Sequence, residues 1–308
     1  MVRLISILVG LGFVGVAAWS LLWGAITYVG TTQEETVEHR FHLAPKDASF
    51  SFNGPFGSYD RQQLQRGFQV YKEVCAACHG LTYVAFRNLD ELGYTEAEVK
   101  AIADQWAIEV PAINPDTGEA TTRKAIPADR FPSPYANEVA ARAANHNALP
   151  PDLALITKAR HDGPAYVYSL LTGYGAPPAE LQREFPQFET GTGLYFNRYF
   201  ANLNIAMAPP LTSEGQVVYA DGTNATVDQM AKDVSAFLAW TAEPRLENRH
   251  RTGIAALIFL VIATILAYLS YKNIWASNKD RTVRVTGALD PENMAKTAAA
   301  KRDEGIVG

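Results

Sequence analysis

The chain has 308 residues, of which 48% are hydrophobic and 19% are charged. This apolar fraction is ample for a packed core and excludes a disordered chain, while the formal net charge of −5 argues against a general nucleic-acid binder. Only two cysteines are present, three positions apart, which excludes a secreted scaffold built on disulfides.

The first predicted element is an apolar helix at the N-terminus. Residues 4–29 carry no charge and follow Arg3. A bilayer-spanning helix needs about 20 apolar residues, whereas the apolar region of a signal peptide has about 7–15 and ends at small residues. Trp19, Trp23 and Tyr28 stand where those small residues belong. We predict that residues 1–30 are an uncleaved transmembrane signal anchor, with a cleaved signal peptide as the alternative; either one exports the following segment.

The exported segment, residues 31–250, opens with an extended lead-in over residues 31–58. Apolar residues at helical spacing, with capping residues such as Thr95 and Thr226, then predict five helices. They cover residues 60–74, 95–110, 136–144, 163–171 and 226–241. Loop-rich stretches at 111–151 and 172–225 separate them, and loops of this length are unusual unless a bound prosthetic group organises the core.

A second charge-free run, residues 252–271, is preceded by Arg249, His250 and Arg251 and followed by Lys272. Basic residues at both ends are typical of a bilayer span, so residues 251–272 are predicted to form a transmembrane helix. Residues 273–308 are predicted to be a cytoplasmic tail, because basic flanks favour that side, and from residue 290 the tail is expected to be poorly ordered. Between the spans, residues 31–248 contain 27 acidic and 17 basic side chains, a net charge of −10.

The chemical centre of the sequence is Cys75-Ala76-Ala77-Cys78-His79, a C-x-x-C-H motif typical of covalent c-type haem attachment. Two thiols on one turn can each add to a vinyl group of the porphyrin, and the adjacent imidazole then ligates the iron. A redox dithiol or half of a zinc site are the alternatives. Zinc requires two further ligands, and a thioredoxin-like dithiol requires a βαβ context; neither is evident in the sequence.

The sixth iron ligand decides between an electron carrier and a catalyst. We favour Met207, because Pro209 and Pro210 stiffen the backbone that presents it. Met230 falls on the apolar face of a predicted helix and Met294 falls in the predicted tail. His/Met ligation fills both axial positions and raises the potential, so such an iron transfers electrons. The remaining candidate ligands are His39, His42, His146 and His161.

The chain resembles the cytochrome c1 family of alphaproteobacterial type, the haem subunits of quinol–cytochrome c oxidoreductases, over residues 50–275. The resemblance rests on the haem motif and on these segments: FQVY at 68–71, DRFPSPY at 129–135, ALPPDL at 148–153, KARH at 158–161, YSLLTGY at 168–174, MAPPL at 207–211, VDQM at 227–230 and AEP at 242–244. It implies a mainly α fold: a c-type cytochrome domain with long loops wrapped round one haem, and transmembrane helices at both ends.

The resemblance also implies roles for individual residues. Cys75 and Cys78 would form the thioethers of one haem c, and His79 and Met207 would be its axial ligands. Four further residues would line the haem pocket, the last two holding a propionate: Asn145, Pro151, Arg160 and Tyr166.

The function implied by the resemblance is electron transfer from a Rieske iron–sulfur protein to a cytochrome c. Cytochrome b would be the membrane partner, the complex would be dimeric, and the haem domain would face the periplasm at the bacterial inner membrane. The chain would not be an enzyme in isolation, and it would bind no nucleic acid. The rival interpretations are a periplasmic haem enzyme of peroxidase type, which needs an open sixth position, and a haem subunit of a terminal oxidase.

Overall fold

The computed structural model describes residues 2–30, 35–288 and 291–303. It is mainly helical, and contacts divide the chain into two compact units, residues 1–49 with 61–242 and residues 50–60 with 243–308.

In chain order the helices are α1 Val2–Gly30, α2 Val37–Phe41, α3 Arg61–Val70, α4 Glu96–Asp104, α5 Glu138–Ala144, α6 Ile156–Ala159, α7 Gly163–Leu171, α8 Ala179–Glu184, α9 Val227–Ala242, α10 Leu246–Ala288 and α11 Pro291–Asp303. The strands are β1 Val110–Ile113, β2 Ala120–Arg123, β3 Tyr195–Phe196 and β4 Asn204–Ile205.

The two apolar runs form helices long enough to cross a membrane. One is α1 and the other is the first part of α10, and their side chains are exposed along the apolar stretches. α10 begins before the predicted residue 251 and continues past 272, because no proline interrupts it before Pro291 and charged residues do not end a helix. The tail expected to be poorly ordered from residue 290 contains α11, and Ala-rich sequence favours helix. Residues 31–34, 289–290 and 304–308, which fall in the predicted lead-in and tail, lie outside the described residues.

All five helices expected between the apolar runs are present, and side-chain caps explain the starts of α4, α5 and α9. α7 covers the predicted residues, with proline in its first turn. Thr95 caps α4 in a capping box with Glu98, whose carboxylate accepts from the Thr95 amide at 2.7 Å. Thr226 caps α9 by accepting from the Gln229 amide at 3.0 Å. α4 ends at Asp104, earlier than predicted, because the chain turns there and enters β1.

Outside the predicted helices the chain contains short elements that periodicity cannot reveal. β1 and β2 form an antiparallel hairpin in which Val110 is opposite Arg123, and β3 and β4 form a second one. A 3₁₀ helix covers Phe86–Leu92, and α2, α6 and α8 are helices of four to six residues. Elements this short depend on contacts with the rest of the domain.

The core of the first unit forms where α3 crosses α9. Gly67 lies at the crossing, and a Cβ atom there would be 2.1 Å from the Asp233 carbonyl oxygen, so only glycine permits this approach. Around the crossing lies a cluster of aromatic rings: Phe68, Tyr71, Phe86, Trp106, Phe131 and Phe237. The fully buried Asp233 carboxylate is neutralised by Arg66 at 2.9 Å and also accepts from Gln63 and Gln229. The crossing holds the chain immediately ahead of the haem motif.

Candidate functional site

The C-x-x-C-H motif forms a compact turn at the end of α3. The predicted helix 60–74 is α-helical only to Val70, and the chain widens into a π turn over Tyr71–Cys75. The amides of Cys78 and His79 both donate to the Cys75 carbonyl, at 3.1 and 2.9 Å. The hydroxyl of the buried Tyr71 donates to the His79 carbonyl at 2.9 Å, which secures the far end of the turn. The two thiols and the imidazole are therefore brought together on one turn.

The orientation of His79 is set by a distant loop. Its Nδ1 lies 2.7 Å from the carbonyl oxygen of Pro151, and because a carbonyl only accepts, Nδ1 carries the proton. Nε2 then keeps its lone pair, which is the form of imidazole that ligates a metal. Burial lowers the pKa of His79, against the opposing effect of the Pro151 hydrogen bond, and so favours the neutral ring.

The loop that carries Pro151 is held by the neighbouring Asp152. Its carboxylate accepts from the amides of Thr82 and Ala154, each at 2.9 Å, and the amide of Leu153 donates to the Gly80 carbonyl at 2.9 Å. A Cβ atom on Gly80 would lie 3.0 Å from the same carboxylate, so a larger residue after His79 would push the Asp152 side chain aside by a few tenths of an ångström. The sequence analysis assigned no role to Asp152, although it lies in one of the family-like segments.

The thiol chemistry distinguishes the alternative interpretations of the motif. Burial, and secondarily the neighbouring Cys78, raises the pKa of Cys75 to about 12. A redox dithiol needs a lowered pKa, so this environment argues against it. Within residues 2–30, 35–288 and 291–303, no group of three or more His, Cys, Asp or Glu side chains could hold a metal ion. Two adjacent thiols beside an imidazole with a free Nε2 are the donor set that covalent haem attachment requires, so the residues fit that group.

Met207 lies on a different loop, just after β4, and its side chain is half-buried. The hydroxyl of Tyr174 donates to the Met207 carbonyl oxygen at 3.1 Å and so fixes the backbone that presents the thioether. Burial raises the pKa of Tyr174, which keeps the phenol protonated as a donor. No sequence pattern indicated this contact, because the two residues are 33 positions apart.

Arg160 and Tyr166 lie close enough for the guanidinium charge to act on the phenol. Arg160 follows α6 and is exposed, while Tyr166 is half-buried on α7. Desolvation raises the pKa of Tyr166, although the Arg160 charge opposes this rise, and the charge of Tyr166 in turn raises the pKa of Tyr174. The Arg160 charge and the Tyr166 phenol therefore lie near one another, where both can bind a carboxylate.

Asn145 caps the C-terminus of α5 and points its amide at a tyrosine that the sequence analysis did not single out. Its Nδ2 donates to the Tyr135 hydroxyl at 2.9 Å and to the Ala141 carbonyl at 2.7 Å. The Tyr135 hydroxyl also lies close to the Cys78 thiol. Asn145 is thereby linked to the motif through one intervening side chain.

The other candidate ligands lie in less suitable places. Met230 is fully buried in α9 as part of the core, and Met294 is exposed on α11. The four histidines among the candidates are exposed: His39, His42, His146 and His161. Of the candidates, Met207 alone is half-buried on a loop braced by Tyr174.

Comparison with known proteins matches the chain to one family. The sequence model of the Cytochrome C1 family matches residues 50–278. The cytochrome c1 of Rhodospirillum rubrum is 46% identical over 239 residues, which cover 75% of this chain and 87% of that protein. A protein named cytochrome b/c1 from Bradyrhizobium diazoefficiens is 44% identical over 276 residues, which cover 85% of this chain but only 40% of that longer protein. A mitochondrial cytochrome c1 heme protein of Arabidopsis thaliana is 42% identical over 275 residues, 88% of this chain and 85% of that protein.

Proposed function

Because the chain belongs to the cytochrome c1 family, of the alphaproteobacterial type, we propose that it is the haem-bearing electron carrier of a cytochrome bc1 complex, the quinol–cytochrome c oxidoreductase. The observation that carries the proposal is the turn of two thiols and His79, with Nδ1 bound to the Pro151 carbonyl and Nε2 left free. Long loops, at 111–151 and 172–225, would wrap round the haem.

Each site residue has a distinct task in this proposal. Cys75 and Cys78 hold one haem c through two thioethers, and His79 and Met207 occupy its axial positions. The haem supplies a one-electron couple, and a thioether ligand favours the ferrous state and a high potential. The chain's own contribution is rigidity, because the Pro151 and Tyr174 hydrogen bonds hold the two axial ligands in place before and after transfer.

The pocket residues hold the edge of the porphyrin in this proposal. Arg160 and Tyr166 neutralise and hydrogen-bond a propionate, which is costly to bury without partners. Asn145 and Pro151 line the same pocket, Asn145 through its contact with Tyr135. In such a pocket neither axial position is open, so the subunit is not an enzyme by itself.

The proposed location is the bacterial inner membrane. Residues 1–30 act as an uncleaved anchor, residues 31–250 form the periplasmic haem domain, residues 251–272 cross the membrane again and residues 273–308 form a cytoplasmic tail. Both spans are supported by the length and apolar composition of α1 and α10. The basic residues that follow the second span support the orientation.

The proposed partners are cytochrome b, a Rieske iron–sulfur protein as donor and a cytochrome c as acceptor, in a dimeric complex. A relative from Bradyrhizobium diazoefficiens is named cytochrome b/c1, and one from Candida albicans, 42% identical, is named a cytochrome b-c1 complex catalytic subunit. The net charge of −10 over residues 31–248 supports a cationic acceptor, since opposite charge accelerates encounter.

The decisive experiment replaces the proposed sixth ligand. Met207→Leu keeps the volume and removes the sulfur, so the variant should retain its haem but lose much of its reduction potential. A Rieske centre can reach about +300 mV, so the variant should stop supporting quinol-dependent reduction of cytochrome c. It should also bind cyanide or carbon monoxide. Redox titration of the purified protein measures the potential, and absorption spectra measure the ligand binding.

The matched control is Met230→Leu, which should be nearly silent because Leu replaces a buried Met at a cost below about 1.5 kcal/mol. If Met207→Leu leaves the potential and ligand binding unchanged while a His146 or His161 variant alters both, the axial assignment is wrong. Cyanide binding to the unmodified protein would instead favour a haem enzyme with an open position.

A further inference from the structure

A sharp turn in the second unit presents a phenyl ring to solvent. Residues 54–57 form this turn, closed by a hydrogen bond from the Gly57 amide to the Gly54 carbonyl at 3.3 Å, with Pro55 and Phe56 at its tip. The Phe56 side chain is 82% exposed. Proline restricts the backbone beside it, so the ring is held outward at little entropic cost.

The rest of this segment is firmly packed, so the exposure of Phe56 is not a sign of a loose loop. The amides of Asn53 and Ser58 donate to the carbonyls of Phe50 and Ser51, at 3.1 and 3.2 Å. A Cβ atom on Gly57 would lie 2.3 Å from the Phe52 backbone, so the turn is closed tightly against the preceding chain. Phe52 itself is buried and packs against Phe50 and Tyr59.

The same segment is attached to the first turns of α10. The ring of His250 donates from Nδ1 to the Gly57 carbonyl at 3.1 Å. The Tyr59 amide donates to the Glu247 carboxylate at 2.8 Å, and the Tyr59 hydroxyl to the Glu243 carbonyl at 3.1 Å. The charge-free run of α10 begins at residue 252, only about 3 Å along the helix axis from His250, at 1.5 Å per residue. The turn therefore lies at the level where the apolar run begins.

We propose that residues 54–57 are a lipid-interface anchor, with Phe56 inserted between the headgroups and acyl chains of the outer leaflet beside α10. The inference rests on the proposed role of α10 as a membrane span. The occupant is phospholipid, because His250, two residues before the apolar run, binds the Gly57 carbonyl of this turn, and an apolar ring at this depth is stabilised by burial at the boundary between headgroups and acyl chains. Arg251, exposed on the adjoining turn, is placed to attract headgroup phosphates, whereas Arg249 is already paired with Glu243 at 2.6 Å. Two points of attachment, the span and the turn, would set the depth and rotation of the helix.

Site-directed spin labelling of the full chain tests the proposal. Nitroxides are attached to Phe56→Cys, to Ile262→Cys in the middle of the run and to Val218→Cys, an equally exposed apolar position in the other unit, at 81%. Each purified variant, with its haem spectrum intact, is placed in phosphatidylcholine–phosphatidylglycerol nanodiscs. The collision rates of each label with oxygen, which partitions into lipid, and with a water-soluble nickel complex are then measured. We expect the oxygen-to-nickel ratio at residue 56 to be several-fold higher than at 218 and lower than at 262.

The label positions separate the ways in which the idea can fail. An oxygen-to-nickel ratio at residue 56 equal to that at residue 218 would place the turn in water and overturn the proposal. The membrane span would still stand if the label at residue 262 excludes the nickel complex. Exclusion of both reagents at 56 would mean a protein contact, which also overturns the proposal. Access of nickel to 262 would overturn the membrane span itself, and with it the anchor.

Discussion

Gly67→Ala tests whether the crossing of α3 and α9 requires a residue without a side chain. The added Cβ atom would lie 2.1 Å from the Asp233 carbonyl oxygen and 2.7 Å from the Phe237 Cβ. The first distance is about 1.3 Å short of the 3.4 Å at which ordinary contact begins. The obstacle is backbone, so no rotation of a side chain can relieve it and the two helices must separate.

Two effects of opposite sign determine the magnitude. Alanine favours the helix over glycine by about 1 kcal/mol. Overpacking costs about 1–3 kcal/mol and occasionally more, and here the separation also loosens the Phe68–Phe237 contact and the buried Arg66–Asp233 pair. We expect the steric effect to dominate, with a net loss of about 2–3 kcal/mol. For a domain of this size that lowers the midpoint of thermal unfolding by about 4–12 °C.

The assay is thermal unfolding of the detergent-solubilised protein, followed by circular dichroism and by haem absorption. Gly253→Ala in α10 is the matched control, because no atom lies within 4 Å of its added Cβ, and its midpoint should be unchanged or slightly higher. A Gly67→Ala midpoint equal to or above that of the unmodified protein would refute the argument that backbone contact at the crossing requires glycine.

Three further predictions concern attachment, processing and encounter. Denaturation in acidic organic solvent should leave haem on the unmodified chain, whereas replacing both Cys75 and Cys78 by Ala should release it; free haem from the unmodified protein would exclude covalent attachment. Mass spectrometry of the mature subunit should find residues 1–30 retained, and a mature start between roughly residues 20 and 40 would show a cleaved signal peptide. The second-order rate of cytochrome c reduction should fall as salt shortens the Debye length to about 8 Å, whereas a flat or rising profile would mean that the acidity does not steer the acceptor.

Local signals in the sequence were sufficient for several elements. Pro164 in the first turn predicted α7, and a capping threonine with apolar spacing predicted α9, each within one residue of its bounds, because a helix end depends on side chains within one turn. The two apolar helices were predictable for a similar reason, since each is a long run of neighbouring residues. α3 shows the limit of such patterns: its periodicity continues to residue 74, yet the chain leaves the α-helix at Val70 to bring Cys75 into the haem turn.

Other elements depend on partners that a local pattern does not reveal. The β1–β2 hairpin lies in a stretch predicted as loop, and Arg123 at its end forms an ion pair with Asp129, outside the hairpin, at 2.6 Å. Tyr71 contacts the haem motif, Tyr135 lies beside it and Tyr174 contacts the Met207 loop, but no local pattern in the sequence indicated these positions. The Gly67 crossing likewise requires α9, which is about 160 residues further along the chain.

The amino-acid sequence by itself determined the family, through short segments in a fixed order, and it determined the haem motif and the two apolar helices, because each of these depends on residues that are neighbours in the chain. Two thiols and an imidazole can only share one turn if they are close in sequence. The tertiary structure alone decided how the proposed axial ligands are held: the Pro151 carbonyl reaches His79 across 72 positions, and the Tyr174 hydroxyl reaches Met207 across 33. Such contacts form only when α3, α7 and α9 pack together, since a hydrogen bond between distant segments requires the fold to bring its donor and acceptor to about 3 Å.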